Sequence, residues 1–165
     1  MATDLAPLIA QLKSADMEQK LAAAEALCHL GEDARPAALQ LIDAVRSDDE
    51  RVCEAAIAAL EGLGAPPTTM TSDIAVYLAD TNASRAFWAA TLLGRIGSDA
   101  AEATERLAST TADVNAPAEV RQKAAWALGK IGPQAKSALG QLRSVDCQGD
   151  ARLKRMIDSA VKSIG

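Results

Sequence analysis

Apolar side chains return along this chain in a fixed stripe, twelve, eight, five, four and one residue before a glycine. One segment reads Val52, Ala56, Ala59, Leu60 and Leu63 before Gly64; another reads Leu153, Ile157, Ala160, Val161 and Ile164 before Gly165. That spacing keeps one face of an α-helix apolar. Glycine supplies the left-handed C′ backbone at no steric cost, so each stripe predicts a helix of about 13 residues that stops at its glycine. The closing glycines lie at 31, 64, 97, 132 and 165, at intervals of 33, 33, 35 and 33 residues. Between them runs a second, weaker amphipathic stretch, over 34–46, 72–79, 100–109 and 133–144, with 3–13 ahead of the first.

Local signals agree with this division. Pro36 and Pro133 fall where helix starts tolerate proline, and Asp16, Asp48, Asn82 and Asp150 stand where a cap or turn precedes the second helix of a pair. The pattern predicts five helix–turn–helix units, ten helices, stacked as an all-α solenoid in one domain over 1–165. The repeats fall near 3–31, 32–64, 65–97, 98–132 and 133–165. Seven residues before each glycine, on the side expected to meet the next repeat, stand Ala24, Ile57, Ala90, Ala125 and then Asp158. A charge there is expected of a capping repeat, which would end the array at Gly165.

Composition supports close-packed helices. Hydrophobic residues make up 49% of the 165, alanine occurs 37 times, and the aromatics are only Tyr77, Phe87, Trp88 and Trp126. Such a chain lacks the β-branched and aromatic residues of sheet-rich folds. A charged fraction of 24% argues against disorder, and no apolar run reaches the roughly 18 residues of a membrane span. The start, Met1-Ala2-Thr3-Asp4, lacks a signal-peptide layout, and three cysteines (Cys28, Cys53, Cys147) show no paired spacing, so a reducing cytoplasm is expected. The net charge of −5 is uneven: residues 1–82 carry 5 basic and 14 acidic side chains, residues 83–165 carry 12 and 8. The basic half could attract an acidic or dipolar partner, while overall acidity opposes nonspecific binding to duplex nucleic acid.

The segments Val120-Arg121-Gln122-Lys123-Ala124-Ala125-Trp126-Ala127-Leu128-Gly129-Lys130-Ile131-Gly132 and Arg85-Ala86-Phe87-Trp88-Ala89-Ala90-Thr91-Leu92-Leu93-Gly94-Arg95-Ile96-Gly97 resemble the HEAT-like repeat of the phycobilin-lyase class. The resemblance implies a helical superhelix. It implies either tetrapyrrole handling or a scaffold role, since that repeat serves in both. Ala65-Pro66-Pro67-Thr68-Thr69-Met70-Thr71 departs from it, with a longer linker and a shortened helix to follow.

Candidate chemistry is sparse. The single histidine, His29, neighbours Cys28, but adjacent helical residues point about 100° apart and no C-x-x-C or H-x-x-x-H occurs, so neither a metal nor a catalytic pair is expected. Cys53 reads as a small core residue, and Cys147 as exposed in a loop. No phosphate-binding glycine motif is present; Gly94, Gly97, Gly129 and Gly132 read as helix ends. No cofactor is expected, and no enzyme.

The second helices are more informative. Opposite the core stripe, ten, nine, six and two residues before the glycine, repeat three carries Phe87, Trp88, Thr91 and Arg95, and repeat four Gln122, Lys123, Trp126 and Lys130. Three of the four aromatics thus fall on one expected concave surface beside cations. Two readings stay open: the tryptophans pack against their neighbours, or they form an aromatic and cationic recognition patch. The same positions in repeats one and two are acidic through Glu25 and Glu54, with Glu61 nearby. The leading expectation is a non-catalytic scaffold that holds another protein or peptide on this surface. The alternatives are a helical-repeat nucleic-acid binder, opposed by those glutamates, and a tetrapyrrole-handling protein.

Overall fold

The computed structural model describes residues 4–165, so Thr3, where the first helix was expected to begin, lies outside the described residues. All regular structure among the described residues is helical. The backbone groups into two compact units, one reaching to Pro67 and one from Thr68 to Gly165.

The first unit holds α1 (Ala6–Leu12), α2 (Met17–Leu30), α3 (Ala38–Ala44) and α4 (Glu50–Gly62). Here α2 packs between α1 and α4, and α3 backs α4. The second unit holds α5 (Thr71–Val76), α6 (Ala83–Ile96), α7 (Thr104–Ala112), α8 (Ala118–Ile131), α9 (Leu139–Arg143) and α10 (Ala151–Ile164). In it α8 lies between α6 and α10, while α5, α7 and α9 back α6, α8 and α10 in turn.

Ten even helices are not what forms. The second helices of the pairs (α2, α4, α6, α8, α10) are continuous over 13 or 14 residues. The first helices are broken: a tight 3-10 stretch of seven residues opens three of them, at Gly31–Ala37, Gly97–Ala103 and Gly132–Ala138. The cause is local. Gly97 turns the chain with φ 74° and ψ −136° while its N–H still bonds the Leu93 carbonyl, and the next residues wind too tightly to propagate an α-helix, with a kink at Ala100. The α-helical remainder after such a turn is only five to nine residues, as α3, α7 and α9 show. The linker through Pro66 and Pro67 shortens α5 to six residues, as its composition predicts.

Four of the five second helices start on side-chain caps. The carboxylates of Asp16 and Asp150 and the Asn82 amide oxygen accept the free N–H groups of the first turn. Before α4 the cap is Asp49 and not the expected Asp48: Asp49 Oδ1 accepts the Arg51 N–H at 2.9 Å. Helix α8 begins after Pro117 with no side-chain cap.

The apolar stripe lies inward. Leu27, Leu60, Leu93 and Leu128, each four residues before its glycine, are all fully buried. Val161, their counterpart in α10, is half-buried. The stripe departs from its pattern at the twelfth residue back, which is Gln19 in α2 and Arg85 in α6. Arg85 is tolerated there because Nη1 donates to Asp80 Oδ2 at 2.8 Å and the guanidinium lies 4.6 Å from the Tyr77 ring centroid.

Candidate functional site

Residues 87, 91 and 95 are four apart on α6, and residues 123, 126 and 130 are three and four apart on α8, so each set shares one helix face. Packing of α6 on α8 sets the two rows side by side. The Lys123 ammonium then bridges them, 4.8 Å from the Phe87 ring centroid and 4.8 Å from that of Trp126. Lys130 Nζ lies 5.7 Å from the Trp126 ring, and the Arg95 guanidinium 5.8 Å from the Trp88 ring. Phe87 meets Trp88 edge to face at 5.8 Å. Six of the eight expected residues therefore form one interlocked cluster of rings and cations.

Their exposure divides the roles. Phe87, Arg95, Lys123 and Trp126 are half-buried and Lys130 is exposed. Trp88, expected on the open surface, is only 7% exposed and belongs to the packing between helices. Thr91 is buried as well, and its hydroxyl donates back to the Phe87 carbonyl at 2.8 Å. Gln122 serves another element: its amide Nε2 donates to Asp150 Oδ2 at 2.8 Å, tying α8 to the cap of α10.

Trp126 sits where it does because position 94 is glycine. A Cβ on Gly94 would stand 2.2 Å from Cζ3 of the Trp126 ring, far inside contact distance. Gly94 is thus not a helix end, as the sequence suggested, but an opening in α6 that seats the indole. Gly129 acts likewise against α10, where a Cβ would come 3.2 Å from the Ala160 Cα.

Three cations, Arg95, Lys123 and Lys130, lie against the rings of the cluster. Burial holds the Lys123 ammonium below the ordinary lysine range, and repulsion from Arg152 and Arg95 lowers it further. Arg152 reaches this neighbourhood from α10. Beside it, a groove of about 200 Å³ runs between α8 and α10, lined by Trp126, Gly129, Lys130, Met156, Ala160 and Ser163. Sequence reasoning missed this groove, since it depends on how closely α8 and α10 approach.

The corresponding face of the first unit differs in sign. A concavity of about 600 Å³ is lined by Leu21, Glu25, Cys28, His29, Arg51 and Glu54, among others. No group of three or more His, Cys, Asp or Glu side chains converges among the described residues. Burial is the main cause that raises the Cys53 thiol above its ordinary range, and its S–H points to the Ser47 and Val45 carbonyls at 3.1 and 3.5 Å. Cys147, expected to be exposed, is half-buried in its loop.

Residues 120–148, which cover α8, the following turn, α9 and the loop after it, match the family described as PBS lyase HEAT-like repeat. No curated protein sequence matches the chain. Among solved structures, a designed armadillo repeat protein in complex with the peptide (KR)4 is 16% identical, with a TM-score of 0.65 over 98% of this chain and 82% of that one. An engineered protein is 21% identical, with a TM-score of 0.63 over 97% of this chain. That match covers 47% of the engineered protein, so this chain spans about half its length. At these identities the likeness concerns the fold. Together with the repeat matched over 120–148, it shows an all-helical fold of the armadillo and HEAT-like repeat kind. No described helix is long and apolar enough to cross a membrane.

Proposed function

We propose that this protein is a non-catalytic scaffold that holds another protein or peptide against the second helices of its repeats. The contact residues in this reading are Phe87, Arg95, Lys123, Trp126 and Lys130, with Trp88, Thr91 and Gln122 supporting them from behind. The observation that carries it is the half-exposed Phe87–Lys123–Trp126 stack, with both rings 4.8 Å from one ammonium. Rings held in place lose little entropy on binding, and aromatic and arginine side chains dominate interface hot spots. The designed armadillo repeat protein, whose structure includes a peptide, supports the use of such a fold as a peptide scaffold.

Nucleic-acid binding is less well supported. Stacking on bases needs open ring faces. Here Lys123 covers Phe87 and Trp126, and Trp88 is buried.

The test is to capture partners from the native host's lysate, identify them, and measure binding to Trp126→Ala and Phe87→Ala. Each truncation is expected to weaken binding by about 2 kcal/mol or more. Circular dichroism must show the helices intact, since Trp126 also packs on Gly94. Unchanged affinity in both folded variants would refute the reading.

A further inference from the structure

The positions two, six, nine and ten residues before Gly97, Gly132 and Gly165, on α6, α8 and α10, hold Arg95, Lys123, Lys130 and Arg155 and not one carboxylate. The same positions before Gly31 and Gly64 hold Glu25 and Glu54 and no lysine or arginine. Arg152 adds a fifth cation close enough to repel Lys123. Asp150 caps α10 and accepts from Gln122, Asp158 pairs with Lys154 at 3.5 Å, and Glu119, one turn before Lys123 on α8, is exposed. Along this cationic row runs the α8–α10 groove, with Gly129, Ala160 and the Met156 side chain as its apolar part.

Resting on the scaffold reading above, we propose that this face takes an acidic peptide segment that carries an aliphatic side chain. Its carboxylates lie on Lys123, Lys130 and Arg155, and the aliphatic side chain enters the groove beside Trp126. Lysine ammonium groups remain able to donate to a carboxylate while one side rests on a ring, because each has three N–H donors. The anion offsets the repulsion that Lys123 meets from its cationic neighbours, chiefly Arg152, which gives it a favourable contribution that a neutral or basic segment cannot obtain. Phosphates would meet the same cations, but single-stranded nucleic acid draws much of its affinity from open aromatic faces, and these are capped.

A random dodecapeptide library displayed on phage, selected against the wild-type protein, tests this, with oligothymidylate assayed in parallel by tryptophan fluorescence. The expected outcome is enrichment of sequences rich in Glu and Asp around a Leu, Ile or Met, with affinity that falls as salt rises. A synthetic peptide of the enriched sequence should bind Lys130→Glu/Arg155→Glu at least about tenfold more weakly. Both substituted residues are exposed, so the variant should keep its helical spectrum. Enriched sequences that are neutral or basic, yet lose binding to Trp126→Ala, would overturn the acidic partner and leave the scaffold standing. Oligothymidylate binding tighter than every selected peptide would also overturn it, in favour of nucleic acid. Absence of any sequence whose binding depends on Trp126 would bring down the scaffold reading itself.

Discussion

At the scale of single residues, glycine carries two opposite meanings in this chain. Gly62 ends α4 with nothing within 4 Å of where a Cβ would be, whereas Gly94 has the Trp126 ring there at 2.2 Å. The same substitution therefore has opposite consequences. Gly62→Ala should be neutral or stabilise by up to about 1 kcal/mol through helix propensity. Gly94→Ala should destabilise by about 1–3 kcal/mol through overpacking, despite the same gain in propensity. It should also shift tryptophan emission as the indole is displaced. Thermal melts and fluorescence spectra of the two variants check this, and equal stabilities would show that Trp126 moves aside freely. The Gly94 contact was not legible in the sequence because its partner is 32 positions away. Arg121 escaped notice for a related reason. It is only 5% exposed, and its guanidinium donates to the Thr111 carbonyl at 3.0 Å and the Asp146 carbonyl at 2.8 Å. Cys53, at the same repeat position in α4, also reaches back to carbonyls that follow a first helix. A polar residue at that place meets carbonyls that a shortened helix leaves without partners.

Among elements, the second helices are strong and the first helices weak, and their starts explain part of the difference. Asp150 shows how a start is secured. Its Oδ1 accepts the Leu153 and Arg152 N–H groups at 2.8 and 2.9 Å, and its Oδ2 accepts the Gln122 amide. These bonds, led by that from Leu153, hold the carboxyl below its ordinary value of 3.8. A carboxyl lowered by folding adds stability that is complete above the unfolded-state value and disappears as pH falls through the folded-state value. Asp150→Asn keeps an accepting oxygen but loses the charge. It should melt below wild type at about pH 7, and the gap should narrow as pH falls from the ordinary carboxyl range through the lowered value of the folded state. A gap that persists in acid would mean the charge contributes nothing. The broken first helices leave gaps of their own. A concavity of about 530 Å³ opens beside the short α5, lined by Ala75, Leu78, Arg106, Thr110 and Asp113 among others. The proline linker predicted the short helix, but not the space it leaves.

For the whole molecule, the partition at Pro67 and Thr68 sets an expectation about independent folding. A stacked repeat cannot bury its apolar face alone, and about three repeats are needed for a stable array. Residues 68–165 contain three helix pairs, with the leucines at positions 93, 107, 128 and 142 fully buried. A fragment of these residues should keep a cooperative helical melt, followed by circular dichroism. A fragment ending at Pro67 has two repeats and should lose most of its helicity. The reverse result would mean that the repeat count does not govern stability here.

What the amino-acid sequence alone determined is the set of properties that arise within a few turns of chain. A 3.6-residue period marks the buried face, and a glycine that accepts positive φ ends the helix, so the five second helices and their core leucines could be read directly. The tight turns after the glycines broke the expected first helices, because hydrophobic spacing does not distinguish a 3-10 stretch from an α-helix. Tertiary structure alone decided which aromatic rings are half-exposed and which are buried in packing. Trp88 and Trp126 hold neighbouring places on equivalent helices, yet one is buried and the other half-exposed. Their surroundings come from helices more than thirty residues apart, whose distance of approach is fixed by side-chain volumes on both partners at once.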